Sequence, residues 1–149
     1  MKLRIVGTAA MLAATLVTET NAENTMDQTR ILETISAMTT AFAAGDIDGV
    51  MSTYQPTAVV VAEPGAPVAG EADLRAMFAE FIASGVSFTY GAHEVVVAGD
   101  TGLHLMSWTA PGPDGPMTAL SVAVLHRQRD GSWKMVIDHP FGDGVMHRK

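Results

Sequence analysis

Cysteine is absent from the 149 residues, which excludes disulfide staples, a thiol nucleophile, thiolate metal sites and a lipidated N-terminal cysteine. Positive charge is scarce: 9 Lys+Arg stand against 16 Asp+Glu, for a formal net charge of -7. A surface of that sign repels phosphate backbones and anionic lipid unless a basic patch offsets it. Only Arg127, Arg129, Lys134 and the Arg148-Lys149 tail gather positive charge, too little for a nucleic-acid site. Close-spaced metal ligands are missing too, since the histidines at 93, 104, 126, 139 and 147 form no HExxH or similar set. Gly99, Gly115 and Gly131 open no helix after a strand, so no phosphate cradle is expected. Ser107 and Ser121 lie in extended runs without a nucleophile elbow, so no Ser-His-Asp triad is expected.

What the chain does hold is apolar mass. Hydrophobic residues make up 48% and charged ones 17%, enough for the core of one ordinary domain. The start reads as a secretory signal: Lys2 and Arg4, an uncharged run from Ile5 to Val17, then Thr20-Asn21-Ala22, where small residues bracket a cleavage point. The run falls short of the ~20 residues a bilayer-spanning helix needs, so stable membrane insertion is not expected. Residues 1–22 are therefore expected to be removed on export to the periplasm or beyond, leaving 23–149 as a single domain.

Periodicity divides that domain. Thr25-x-x-Gln28 has the form of a capping box, and Ile31, Ile35, Met38 and Phe42 follow as one helical stripe. Gly45 is expected to stop this helix, and Asp46 to cap a second, short one through Val50, Met51 and Tyr54 that ends at Pro56. Thr57 to Glu63 reads as a strand closed by the tight loop Pro64-Gly65-Ala66-Pro67. Glu71 to Ser84 reads as a third helix, with Leu74, Phe78, Phe81 and Ile82 on one side and Gly85 as its stop. From Val86 onward, extended runs are punctuated by Gly99-Asp100, by the Pro/Gly-rich stretch 111–116 and by Asp130-Gly131, which predicts a meander of four long antiparallel strands. The expected fold class is α+β, with helices laid on one face of a curved, mostly antiparallel sheet. After Phe141 the pattern stops, and the tail is expected to be an exposed end.

The phrases Phe42-Ala43-Ala44-Gly45-Asp46, Tyr54 before a Val-rich strand, Glu63-Pro64-Gly65 followed by Gly70, Gly99-Asp100 before a strand, and Asp130-Gly131-Ser132-Trp133-Lys134 stand in an order that resembles the nuclear-transport-factor-2-like superfamily. Within it, the chain looks like the small bacterial SnoaL-like and ketosteroid-isomerase-like proteins, over about residues 26–141. The resemblance implies a cone-shaped fold of three N-terminal helices on the sheet, a hydrophobic pocket inside the cone, a homodimer through the outer sheet face, and no cofactor. It says little about the reaction, because one such pocket serves many chemistries. The family's isomerases use a carboxylate base after the first strand and an oxyanion hole of a helix Tyr and a protonated sheet Asp. Matching Gly45-Asp46-Ile47 puts Met38 where that Tyr would lie, and matching Ala119-Leu120 puts Val124 where that Asp would lie. Matching the Pro after the strand puts Glu63 at the base position, whereas counting from Tyr54 without a gap puts Ala62 there.

Three candidates for chemistry follow. Glu63, at a strand end beside a Pro-Gly turn, is either a pocket base or a solvated loop acid. The last strand alternates Trp133, Met135, Ile137 and His139 with Lys134, Val136 and Asp138, so Asp138 is expected to share a face with Val136. The resemblance turns that face toward the cavity, where a lone charge is expensive; the alternative is an Asp salt-bridged at a frayed strand end. His126 follows Leu120, Val122 and Val124 and is expected to reach the cavity, whereas His104, alternating with Met106 and Trp108, is assigned to the outer face. The pocket is expected to be lined by Met38, Phe42, Tyr54, Phe78, Leu105, Val122 and Val136, and the 10 methionines make its wall adaptable.

Two functions remain in contention. In the first, an exported, cofactor-free and metal-free protein binds a small hydrophobic molecule. If it turns that molecule over, it is an isomerase or lyase with Glu63 as base, Asp138 or His126 as proton partner and Tyr54 as donor. In the second, the chain is a non-catalytic dimeric interaction module whose outer sheet face, around His104, Met106 and Trp108, makes the contact. An open cavity holding two acids would favour the first and a filled one the second.

Overall fold

Helix α1 (Ala9–Ala44) carries the predicted stripe: Ile31 and Ile35 are buried, and Met38 and Phe42 pack beside them. The computed structural model describes residues 9–147, with side chains from Ala22 onward; Lys2 and Arg4, the charged start of the expected signal, and the Arg148-Lys149 pair lie outside the described residues. The helix runs through the supposed capping box instead of starting there. Thr29 Oγ1 donates to the Thr25 carbonyl within the helix, and Gln28 donates to the Val95 carbonyl, tying α1 to the sheet. Among the described residues, no helix is long and apolar enough to cross a membrane.

Gly45, at φ +73, ends α1 in the left-handed conformation that only glycine adopts without strain. Asp46 then caps α2 (Ile47–Ser52), its carboxylate accepting from the Gly49 N–H at 2.9 Å. Strand β1 (Tyr54–Glu63) begins earlier than predicted, so Tyr54 is a strand residue and Pro56 does not terminate the helix. Pro56 sits in the irregular stretch between the Tyr54–Met135 and Val59–Ile137 pairings, where a missing N–H disturbs the ladder least. The tight loop after Glu63 continues into a short strand that the sequence reading missed, β2 (Ala66–Ala69). It lies at the sheet edge, where Pro67 is tolerated.

Helix α3 (Glu71–Ala83) buries Leu74 and Phe78 as expected. The meander follows as β3 (Thr89–Ala98), β4 (Thr101–Gly112), β5 (Gly115–Arg127) and β6 (Trp133–His139). The sheet order is β2-β1-β6-β5-β4-β3, antiparallel throughout except for the parallel β1–β6 pair. The fold is thus α+β, with a six-stranded mixed sheet and three α-helices among the described residues. The helices are not one N-terminal block, since α3 follows the β1–β2 hairpin. Beyond Phe141 the chain forms a 3-10 turn (Gly142–Met146) against β5, and Asp143 accepts from the Leu120 N–H at 3.1 Å. The predicted loose end is therefore fastened through its first residues.

One polar lock fixes α1 to the far end of the sheet. Asp27 is 1% exposed; it pairs with Arg127 and accepts from the Trp133 indole N–H at 3.3 Å. Arg127 also lies over the Trp133 ring, 5.3 Å from its centroid. Gly102 lets Ile31 approach β4 directly, since a Cβ there would collide with the Ile31 side chain.

The sheet faces are assigned differently from the parity reading. On β4 the buried set is Gly102, His104, Met106, Trp108 and Ala110, and on β5 it is Ala119, Ser121, Ala123 and Leu125. These look toward the helices, so Leu103, Leu105, Leu120, Val122, Val124 and His126 have the outer parity. On β6, Leu125 pairs with Met135 but Val124 pairs with Ile137, which leaves Val136 as an extra residue in a bulge. The bulge shifts the alternation, so Trp133, Met135 and Asp138 share the inner face and Ile137, 47% exposed, turns outward.

Candidate functional site

Between the helices and the inner sheet face lies a cavity of about 90 Å³. Helix α1 contributes Met38 and Phe42; α3 contributes Met77, Phe78 and Phe81; β1 contributes Tyr54, Val60 and Ala62. The sheet adds Tyr90, Met106, Trp108, Ser121 and Asp138, and Phe88, Pro140 and Phe141 close the wall. The wall is mostly aromatic and thioether. Its rings brace one another: Trp108 meets Phe88 and Phe141 edge-on, each at 5.2 Å between centroids, and Tyr54 lies 5.4 Å from Phe78. The Trp108 indole N–H is already committed to the Pro140 carbonyl at 2.7 Å, so that ring offers an apolar face.

The polar chemistry of this wall centres on one pair. Asp138, 7% exposed, accepts a hydrogen bond from the Tyr54 hydroxyl at 2.6 Å, within the range for a strong O–H···O bond. Tyr54 heads β1 beside Met135 and Asp138 lies near the end of β6 beside Val60, so the Tyr54 side chain spans the register offset to bring its hydroxyl to the carboxylate. Burial pushes the Asp138 carboxyl above its ordinary range, against the opposing pull of the Tyr54 hydrogen bond and of His139. Burial, reinforced by Asp138, holds the Tyr54 phenol well above its usual value, so it remains a donor. Tyr90 is raised in the same way, first by burial and then by Asp138. The cavity therefore contains a carboxyl whose proton affinity is raised by burial, held by a phenol and surrounded by apolar atoms.

The sequence-predicted residues divide on this geometry. Asp138, Tyr54, Met38, Phe42 and Phe78 line the cavity. Glu63 does not: it is exposed at the β1–β2 turn opposite Ala66, while Ala62 beside it faces inward, as the ungapped count from Tyr54 had it. His126 is exposed, one step out of phase with the buried Leu125. Leu105 and Val122 pair with each other on the outer face, and Val136 is the bulged residue; none of the three lines the cavity. His104, Met106 and Trp108, assigned to the outer face, are buried on the inner one. That also removes them from any contact made by the outer face. The cavity holds one acid where two were expected.

Sequence reasoning missed Ser121, Tyr90, Met106 and Trp108 as wall residues. The alternation in β4 was visible, but both of its phases are apolar, so the period gave two faces without saying which was inside. The bulky phase, Met106 and Trp108, was the available signal: a concave sheet face that must fill space against helices takes the larger side chains.

A family model of the SnoaL-like domain matches residues 35–136. No curated protein matches the sequence. Among solved structures, a nuclear-transport-factor-2-like protein of unknown function from Pseudomonas putida KT2440 superposes with a TM-score of 0.68 at 20% identity, covering 77% of this chain and 85% of its own. A candidate scytalone dehydratase from Novosphingobium aromaticivorans DSM 12444 gives 0.68 at 14% identity, covering 80% and 85%. A ketosteroid isomerase-like protein from Erwinia carotovora atroseptica SCRI1043 gives 0.56 at 22% identity, covering 76% and 93%. At these identities the likeness is one of fold.

Proposed function

Because the chain belongs to the SnoaL-like domain family, we propose that its cone is a binding and proton-transfer site for a small, flat, hydrophobic carbonyl compound, with Asp138 as the acid/base and Tyr54 as the group that orients it. The observation that carries this reading is the Tyr54–Asp138 hydrogen bond at 2.6 Å inside an aromatic wall. A base poised above the ordinary carboxylate range is better matched to neutral pH than a solvated acid. With Oδ2 held by Tyr54, Oδ1 is left to take a proton from the carbon beside the carbonyl. The C–H electron pair moves into an enolate, and the same carboxyl returns the proton to the γ carbon, which shifts a double bond. Tyr90 and Ser121 supply the remaining hydroxyls of the wall. The cavity of about 90 Å³ is smaller than the ~150 Å³ that takes a benzene ring, so a one-ring ligand needs the adaptable side chains of Met38, Met77 and Met106 to give way. Glu63 plays no part in this scheme, because its side chain lies outside the cavity.

The test follows the conversion of 3-cyclohexenone into its conjugated isomer by NMR in D2O, which also records exchange at carbon. Asp138→Asn should lower the rate by ~10²–10⁴-fold, the usual worth of a positioned acid/base, while Glu63→Gln leaves it unchanged. No exchange by the wild type with any monocyclic enone, together with an Asp138 carboxyl resonance that ignores those ligands, would sink the reading.

Export and dimerisation belong to the same proposal. Cleavage after Ala22 would leave Glu23 at the head of the chain, and its pairing with Arg127 at 3.4 Å lies on the retained side; N-terminal sequencing of protein recovered outside the cytoplasm decides between Glu23 and Met1. The outer sheet face carries Val96, Leu120 and Ile137 at 50%, 37% and 47% exposure, beside Leu103, Leu105, Val122 and Val124. An apolar face of this kind is rarely left wet. Light scattering should report twice the monomer mass, and Ile137→Glu should halve it.

A further inference from the structure

Away from the Tyr54–Asp138 pair, His104 presents an unusual situation. It is 0% exposed, and neither ring nitrogen has a hydrogen-bond partner. A buried unpaired polar group is costly, so a histidine placed this way calls for an explanation. The neighbour that answers is His93, whose ring centroid lies 5.8 Å from that of His104 at an interplanar angle of 62°. The register accounts for the approach. His93 stands opposite Met106 and Val95 opposite His104, so His93, His104 and Met106 form a triangle on the inner face of β3 and β4. His93 is exposed and opens the triangle to solvent, whereas His104 and Met106 close it from within.

The spacing and donor types suit a metal ion. A metal–imidazole bond is ~2 Å and a ring nitrogen lies ~1 Å from its centroid, so two imidazoles sharing one ion have centroids roughly 5–6 Å apart. Glu94, the nearest acid in sequence, pairs with Leu105 and has the outer parity. The set is therefore two imidazole nitrogens and a thioether, with no carboxylate. Among the described residues, no three His, Cys, Asp or Glu side chains gather to hold a metal, which disfavours the four-coordinate environment that structural zinc requires. A soft, monovalent ion that accepts few ligands is the one such a set selects, and its single charge costs least to bury among neutral donors.

We propose that His93 and His104, with the Met106 thioether as third donor, form a binding site for monovalent copper on the inner face of β3 and β4. The site shares Met106 with the cavity wall but makes no use of the Tyr54–Asp138 pair, so it stands or falls without the proton-transfer reading. Tag-free protein titrated with Cu(I) in oxygen-free, reducing buffer against a chromophoric chelator should take up one equivalent. His93→Ala removes an exposed ligand and should weaken binding by ~100-fold or more, beyond the loss from removing a hydrogen-bond partner of a ligand, with an unchanged circular dichroism spectrum. His104→Leu should abolish binding and fold at least as stably as the wild type, since it removes two unpaired nitrogens. Copper X-ray absorption should show nitrogen and sulfur neighbours, with the sulfur lost in Met106→Leu. Uptake well below one equivalent, or His93→Ala holding Cu(I) as tightly as the wild type, overturns the proposal.

Discussion

Tyr54→Phe isolates the polar pair with little disturbance to its surroundings. The ring remains, so its packing against Phe78 and the rest of the core is kept and no void opens. What is lost is the O–H donated to Asp138 at 2.6 Å, and no other hydrogen bond to the Asp138 carboxyl is seen among the described residues. The cost depends on the charge of that carboxyl: about 1.5–3 kcal/mol when it is ionised and about 0.5–1.5 when it carries its proton. The sign with pH follows from the raised folded-state value. A carboxyl that binds its proton more tightly in the folded state stabilises the fold fully below the unfolded value of about 4. That stability is lost as pH rises toward and through the folded value, at about 1.4 kcal/mol per unit of separation. Deleting Tyr54 Oη removes an interaction that lowers the Asp138 value, so it widens the separation and the loss on raising pH grows. Urea unfolding from pH 4 to pH 8 should therefore give a deficit for Tyr54→Phe that increases with pH. In Asp138→Asn, which cannot ionise, the deficit of Tyr54→Phe should be small and flat. A deficit under 0.5 kcal/mol at every pH, or one that shrinks as pH rises, would refute the reasoning.

Three further substitutions test other parts of the molecule. Arg127→Met leaves Asp27 buried without its strongest partner and should cost about 3–5 kcal/mol by urea unfolding at pH 7; the double change Arg127→Met with Asp27→Leu should recover much of it. Gly102→Ala forces a methyl into the Ile31 side chain and should lower stability by about 1–3 kcal/mol, with partial recovery in Ile31→Val. Glu63→Gln, at an exposed turn, should leave the unfolding midpoint within about 0.5 kcal/mol of the wild type.

Much of the fold was written in local signals that act over one turn or one hairpin. Gly45 and Asp46 set the α1–α2 break by backbone conformation and a single cap. The Gly99-Asp100 and Asp130-Gly131 turns set the meander, and the α1 stripe named its own buried face. The short β2 escaped because its four residues, one of them proline, have no pattern of their own and become a strand only by pairing with β1. The start of α1 escaped for a related reason: a capping box shows where a helix can begin, and the residues before this one are themselves helical.

The site was less legible because it depends on which side of a strand is inside, and that sign is a tertiary property. In β4 and β5 both phases are apolar, so alternation alone left Leu105 and Val122 as good a choice as Met106 and Ser121. On β6, Asp138 was expected inside together with Val136 and opposite Trp133 and Met135; it is inside together with Trp133 and Met135. One inserted residue reconciles these, since the bulge at Val136 reverses the phase between Met135 and Asp138. Upstream of the bulge the strand serves the core, with Trp133 and Met135 at 2% and 0% exposure. Downstream, the reversed phase turns a carboxyl toward Tyr54 and an aliphatic side chain, Ile137, outward. Without the bulge, an inward Trp133 and Met135 would place Ile137 in the cavity and Asp138 on the opposite face. The irregularity is thus what allows one short strand to supply both core packing and the acid of the cavity.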